Sequence, residues 1–462
     1  MMFMASIREL PTASKTKFER IGAHTHIRGL GLKKNLKAAK IKDGMVGQQR
    51  AREAAGLVID MIKEGKLSGK TVIFAGPPGT GKTAIAVAIS KELGAHVPFI
   101  QISGSEIYSS ERKKTEILIT AMRKCIGVEI HEMRKVYEGE LTSMDIKTAA
   151  HPYNPYQKVP ESIRLTLKTQ DETKTIEAGS TIAQQVIQQN ISEGYVLQID
   201  AESGRIVNLG ISMDSSKGKT YDIDTRKKIP RPQGKVHKEK EFVYTLTLAD
   251  MDEINARQRQ GGGIFSLFMG SAATKEIDTE IRTAVDEAVK KMVDEEKAFI
   301  HPGVLFIDDS HLLDLEAFSF LGRAIESELV PIIILATNRG VTTIRGTDVK
   351  SPMGFPLDLV DRSVIIGTEE YDADSIREIL KIRSEEEKIN IEDNALEKIT
   401  EVGAKTSLRF SVQLLSLAAQ NAKSAKRKNV TIKDVERVSE LFMDVSEATR
   451  HLKKYEDKMM SH

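Results

Sequence analysis

Gly76-Pro77-Pro78-Gly79-Thr80-Gly81-Lys82-Thr83 follows the apolar run Thr71-Val72-Ile73-Phe74-Ala75 and precedes Ala84-Ile85-Ala86-Val87-Ala88-Ile89. Strand, glycine-rich turn and helix in that order fit the pattern G-x-x-x-x-G-K-[ST] at every position. Glycines let the backbone curl so that successive N–H groups face one anion, and the helix start adds its partial positive charge. Lys82 is then placed to reach β- and γ-phosphates, and the Thr83 hydroxyl to join a Mg²⁺ shell. The stretch implies a nucleoside triphosphate with Mg²⁺.

A second landmark is Pro302-Gly303-Val304-Leu305-Phe306-Ile307-Asp308-Asp309-Ser310-His311, an apolar run ending in acids. Such an end sets one carboxylate beside Mg²⁺ and another beside the attacking water. It lies about 225 residues after Lys82, room for a whole inserted domain. Pro331-Ile332-Ile333-Ile334-Leu335-Ala336-Thr337-Asn338 repeats the form with a polar end, and Val97 to Ile102 is a further short buried run. Four near-continuous apolar strands alternating with helices predict a parallel sheet covered on both faces. Ligands of such sheets sit at the carboxyl ends of the strands, where Gly76 to Thr83, Asp308 and Asn338 all fall.

The helices expected around this sheet are Gln49–Glu64, Arg112–Ile126 and Glu316–Glu328. From about Val128 to Tyr244 the chain changes to short alternating runs with turn signals. Tyr195–Asp200 and Ile206–Gly210 read as a hairpin, Ser162–Lys168 as a strand, Thr181–Gln189 as a short helix and Ala150–Lys158 as loop. This predicts a β-rich insert, a small barrel of the oligonucleotide-binding (OB) kind or one of the many others with the same pattern. Gly261-Gly262-Gly263 and the apolar Ile264–Met269 read as a flexible joint or a loop without a role, and Thr274–Lys297 as a long helix. Beyond Asp374, 3.6-residue stripes predict helices at Ser375–Lys388, Ala395–Val402, Ser411–Lys423 and Ile432–Leu441.

The 462 residues carry 29% charged side chains but a net charge of only +2, so no extended nucleic-acid or membrane surface is demanded. One cysteine, Cys125, excludes an internal disulfide framework and suits a reducing compartment. No apolar run approaches the roughly 20 residues that span a bilayer, and Met1 to Arg20 lacks the apolar core of a secretory signal. Ser424-Ala425-Lys426-Arg427-Lys428 is a basic cluster, read as a solvated turn or a nuclear import signal. His24 and His26 form a His-x-His pair without a further ligand at metal spacing, so a loop over the nucleotide or plain surface is expected there.

Taken in order, the motifs resemble an AAA+ ATPase. His24-Thr25-His26-Ile27-Arg28-Gly29-Leu30-Gly31-Leu32, Val46-Gly47-Gln48, the phosphate loop, Tyr137-Glu138-Gly139-Glu140, Ala336-Thr337-Asn338-Arg339-Gly340 and Leu359-Val360-Asp361-Arg362 resemble the eukaryotic and archaeal RuvB-like family, most closely its first paralogue. Bacterial RuvB lacks a comparable insert between the two nucleotide motifs. The resemblance implies an AAA+ core in two parts, 1–127 and 297–370, a β-rich OB-like insert with linking helix at 128–296, and a helical lid at 371–462. Gly76 to Thr83 would hold the phosphates, Thr83 and Asp308 the Mg²⁺, and Asp309 and Asn338 the attacking water. Arg362 would be an arginine finger offered to a neighbouring subunit and Arg409 the sensor on the lid. His24, His26, Val46, Tyr371 and Ile379 would lie near the base.

The family's acidic strand usually ends Asp-Glu-Val-His, whereas Asp308-Asp309-Ser310-His311 stands here. The shorter Asp309 implies slow hydrolysis, or a nucleotide-gated scaffold that barely hydrolyses. By the same resemblance the expected setting is a hexameric ring, homomeric or mixed with a second RuvB-like paralogue. It would act in chromatin remodelling, transcription, DNA repair and the assembly of protein and snoRNP complexes, in the nucleus with a cytoplasmic pool. DNA helicase activity and DNA or RNA contact through the insert are weaker implications.

Overall fold

The computed structural model describes residues 24, 26–64, 71–94, 97–151, 154–214, 228–259 and 276–459. Met1–Arg20, Thr25 and Gly261–Met269 therefore lie outside the described residues. The chain divides into two compact units, one of 1–127, 247–285 and 301–462, the other of 128–246 and 286–300.

The first unit is built on five parallel strands: β1 (Thr71–Ala75), β2 (Phe99–Ser103), β3 (Val304–Asp308), β4 (Ile332–Thr337) and β5 (Ser363–Gly367). Their order is β5-β1-β4-β3-β2. Four match the apolar runs of the sequence. The fifth, Ser-Val-Ile-Ile-Gly, had no long apolar signal because it is a short edge strand bounded by Ser363 and Gly367. Alternation sorts the side chains to opposite faces. Val72, Phe74, Phe306 and Ile334 pack with Ala55 and Val58 of the helix Gln49–Lys63 and Ile85 and Ile89 of the helix Lys82–Leu93. Ile73, Leu305, Ile333 and Leu335 pack instead with Leu118 of Lys114–Lys124 and Phe318 and Leu321 of Leu315–Ala324. Both faces are covered, which is why these strands read as continuous apolar runs.

The helical lid belongs to this unit. Ala373–Glu386, Asp393–Lys405, Leu408–Ser424 and Ile432–Leu441 enclose a core of Leu380, Ile399, Leu414, Leu415, Ala418 and Val435. Three of the four begin at a side-chain cap. Asp372 Oδ1 accepts from Ser375 N at 3.0 Å, Ser407 Oγ from Phe410 N at 3.2 Å, and Thr431 with Asp434 forms a reciprocal capping box. A fifth helix, Val445–Met459, was not expected; its apolar residues are few and largely exposed, as at Val445 and Leu452.

The second unit is a mixed sheet of eight strands. The hairpin Tyr195–Asp200 with Ile206–Ser212 is present, and its turn is fixed where Asp200 Oδ1 accepts from Glu202 N and Ser203 N, both at 2.9 Å. Among the described residues no pairing closes the sheet into a barrel. The expected loop at Ala150–Lys158 is instead mostly strand. Ile126–His151 and Asn154–Lys168 pair antiparallel as far as His151↔Asn154, with register shifts along the way that accommodate Pro160 opposite Thr148. The expected 128–296 insert is also divided differently. Residues 247–285 fall in the first unit, where buried ion pairs join Arg123 with Asp252 and Arg282 with Glu116. The long helix there spans Thr279–Asp294, shorter than expected at both ends.

One buried charge fastens the segment ahead of β1. Arg52, fully buried, donates to four main-chain carbonyls: Leu30 at 2.7 Å, Ala39 at 2.8 Å, Gly47 at 2.9 Å and Gly31 at 3.1 Å. Arg52→Met keeps much of the volume but strands these acceptors, so stability should fall by about 3 kcal/mol. Thermal unfolding measures the loss, and hydrogen exchange should place it first in residues 27–47.

Candidate nucleotide site

The phosphate loop is held from behind. A Cβ on Gly76 would lie 2.2 Å from Thr368 Oγ1, so only glycine lets the loop approach the end of β5. Buried Thr80 donates to Pro77 O at 2.8 Å and shares a 2.7 Å hydrogen bond with Thr368 Oγ1. Gly79 and Gly81 take φ of 81° and 84°, the left-handed region. Gly81 caps the helix Lys82–Leu93 without a side-chain acceptor, leaving its first N–H groups for a ligand. Lys82 Nζ donates to Gly76 O at 2.9 Å and Pro77 O at 2.7 Å, its reach folded back onto the loop. Burial lowers its pKa, while Asp308 and Asp309 oppose the shift.

The acidic turn sits across from this loop. Asp308 ends β3, and Asp309 follows with φ of 46°, its N–H donating to Asp308 Oδ1 at 2.9 Å. Buried Ser310 Oγ donates to Ala336 O at 2.7 Å, tying the turn to β4, which ends just before Asn338. His311 Nδ1 is buried without a partner, and burial lowers the pKa of the ring.

A cavity of about 470 Å³ joins these parts. Pro78, Gly79, Gly81, Lys82 and Thr83 line its phosphate end, with Asp308, Asp309 and Asn338 facing them. Of the other expected residues, His24, His26, Val46, Tyr371, Ile379 and Arg409 line it as well. Gly76, Pro77 and Thr80 do not; they support the loop. Arg362 does not line it either. It is exposed at the end of the helix Leu357–Asp361, paired with Glu326 and, at 3.7 Å, with Asp358.

The sequence reading missed Arg383, Val412 and Gln413, which also line the cavity. Helical spacing was the available signal. Arg383 lies one turn beyond Ile379, and Val412 and Gln413 one turn beyond Arg409. Ile27, Met45 and Leu408 add apolar wall, a surface suited to a base rather than a charge. The hydroxyl of Thr83 and the carboxylate of Asp308 are hard oxygen donors that would suit Mg²⁺ beside phosphate oxygens. Among the described residues no group of three or more His, Cys, Asp or Glu is placed to hold a metal by itself.

Glycine loop, acidic strand end, polar strand end and lid around one cavity define a P-loop ATPase of the AAA+ class. The TIP49 P-loop domain matches residues 20–374, and the TIP49 AAA-lid domain residues 379–444. The chain is 44% identical over 450 residues to RuvB-like protein 1 of Arabidopsis thaliana, covering 97% of this chain and 98% of that one. It is 42% identical over 450 residues to RuvB-like helicase 1 of Aedes aegypti, with the same coverage, and 41% over 457 residues to that of Kluyveromyces lactis, covering 98% and 100%. The chain belongs to the TIP49, or RuvB-like, family of ATPases.

Burial lowers the pKa of His24 and of His26, and the cation of Arg383 acts in the same direction on both, while Glu386 opposes it at His26. The folded state thus prefers neutral rings. Their contribution is fully present above the ordinary imidazole pKa of about 6.5 and is lost as pH falls through the lower folded values. Hydrogen exchange of residues 26–47, corrected for intrinsic rates, should accelerate as pH falls below about 6.5. His24→Gln with His26→Gln should flatten that dependence.

Proposed function

We propose that this chain hydrolyses ATP with Mg²⁺ as a hexameric ring in which each site is completed by Arg362 of the adjacent subunit. The observation that carries this reading is the exclusion of Arg362 from the cavity that collects Lys82, Thr83, Asp308, Asp309, Asn338 and Arg409. Arg362 instead stands exposed in a pairing with Glu326 and Asp358, exposed carboxylates that a neighbour's phosphates would outcompete. An arginine given in trans stabilises transition-state charge only when a neighbour is docked, which couples turnover to assembly.

Within one site, Lys82 would leave its loop carbonyls for the β- and γ-phosphates. Thr83 and Asp308 would hold Mg²⁺, which neutralises charge developing on the phosphate oxygens. Asp309 would accept a proton from the attacking water, positioned with Asn338. Arg409 would report the γ-phosphate to the lid. The base would rest on Val46, Ile379 and Tyr371 beside His24 and His26.

Relatives named RuvB-like helicase 1 support a DNA helicase reading for this chain as well. The setting we infer is nuclear with a cytoplasmic pool, in rings alone or mixed with a second paralogue. Chromatin remodelling, transcription, DNA repair and the assembly of protein and snoRNP complexes are the roles such a ring would serve. The insert would contact protein partners, or DNA or RNA, and membranes have no part in the reading.

A second reading, a scaffold that changes shape on ATP and barely hydrolyses it, is favoured by one observation. Asp309 is one methylene shorter than the family's usual glutamate, against a positioning requirement that tolerates little slack. Asp309→Glu should raise steady-state turnover about tenfold if reach limits the reaction; unchanged turnover would remove that limit from the account.

The ring reading has its own test. Lys82→Ala and Arg362→Ala should each abolish turnover alone. Subunits of the two kinds, mixed and reassembled, should recover a measurable part of it, because a wild-type cavity then meets a wild-type arginine. Recovery absent despite mixed rings would refute the trans arginine.

A further inference from the structure

Gln48 ends the Val46-Gly47-Gln48 motif, and no part of the proposed reaction uses it. It precedes the helix Gln49–Lys63 with φ of 51° and makes no side-chain cap to that helix. A glycine would take this backbone conformation at lower cost, so the side chain must contribute elsewhere.

It does so 321 residues away. Gln48 Nε2 donates to Glu369 O at 2.5 Å, and Glu369 N donates back to Gln48 Oε1 at 3.2 Å. One amide thus satisfies both main-chain groups of a single residue, as a paired strand would. Glu369 lies in the connector between β5 and the lid helix Ala373–Glu386. At the β5 end of the connector Thr368 is held by Ala75 and Thr80; farther along, Arg50 to Glu369 at 3.6 Å and Lys40 to Asp374 at 3.5 Å join exposed side chains and hold little.

Two residues beyond Glu369 comes Tyr371. Its ring is the shared wall of two cavities, the nucleotide cavity and a second of about 590 Å³ lined by Gln48, Gln49, Gly367 and Glu369. Its hydroxyl lies 2.6 Å from where a Cβ on Gly81 would stand. Burial pushes the phenol up to about 12, so the ring stays neutral in this position. Gln48, Glu369, Tyr371 and Gly81 therefore form a continuous path from the helix start, through the lid connector, to the phosphate loop.

We propose that Gln48 is a positioning residue for nucleotide binding, clamping the lid connector so that Tyr371 closes the wall of the nucleotide cavity. The proposal rests on the nucleotide reading of that cavity. The two roles open to Gln48, helix start and connector clamp, respond oppositely to glycine. Gln48→Gly relieves the left-handed backbone and should leave the melting temperature unchanged or slightly raised. It removes the clamp, so ADP affinity should fall about tenfold, the equivalent of one to two ordinary hydrogen bonds.

The experiment measures ADP affinity by calorimetry, with melting temperature, for wild type, Gln48→Gly, Gln48→Met, Tyr371→Ala and Gln48→Gly with Tyr371→Ala. Both Gln48 variants should lose affinity, and Gln48→Gly should add little to Tyr371→Ala, the coupling expected of a residue acting through the ring. Wild-type affinity in Gln48→Gly, or full additivity with Tyr371→Ala, would overturn the clamp. Absence of ADP binding by wild type would instead overturn the nucleotide reading, and the clamp with it.

Discussion

Everything at the site depends on the register of five parallel strands. β1 and β4 align Ala75 with Thr337, β5 and β1 align Gly367 with Ala75, and β3 and β2 align Asp308 with Ser103. The polar strand ends therefore fall along one edge of the sheet. From that edge the phosphate loop leaves β1, the acids leave β3, Asn338 leaves β4 and the lid connector leaves β5. Because parallel strands are buried on both faces, a slip by one residue would exchange the two apolar cores, and this penalty keeps the edge in line. The reactive groups inherit their alignment from apolar packing far from any of them.

What the chain revealed on reading depended on how local each signal was. The phosphate loop requires only consecutive residues, and its strand, glycines and helix all lie between Thr71 and Ile89. The lid helices were legible because each carries its own periodic apolar stripe; the caps Asp372, Ser407 and Thr431 that start three of them are equally local. β5 was not legible, since its central Val364, Ile365 and Ile366 make too short a run to stand apart from a turn. Asn154 and Pro155 signal a loop in isolation, yet both lie in the strand Asn154–Lys168, which pairs with Ile126–His151 as far as His151↔Asn154. Cross-strand partners separated by many residues outweigh local propensity there.

Within the site, the same division holds. Lys82, Thr83 and Asp308 follow from motif and spacing. Arg383 and Gln413 come to line the same cavity as the phosphate loop only when the lid is in place, and the one signal that marks them in sequence is their helical spacing from Ile379 and Arg409. Gln48 is a sharper case, since its partner stands more than three hundred residues away and is a main-chain group that leaves no trace in residue type. A side chain that reads backbone is invisible to any argument from residue identity at its target. Its own unfavourable φ is the feature that points to it.

Asp309 unites backbone and chemistry in one residue. Its φ of 46° lies in the left-handed region, where aspartate is tolerated better than most side chains because its short polar group can bond locally. The preceding carboxylate accepts the Asp309 N–H, and the Asp309 carbonyl stands 2.6 Å from where a Gly104 side chain would begin. The turn is thus fixed from both sides and cannot slide forward to make up for a short side chain. Glutamate at this position would gain reach toward the γ-phosphate but lose backbone comfort. Stability and turnover are then expected to move in opposite directions when residue 309 is lengthened.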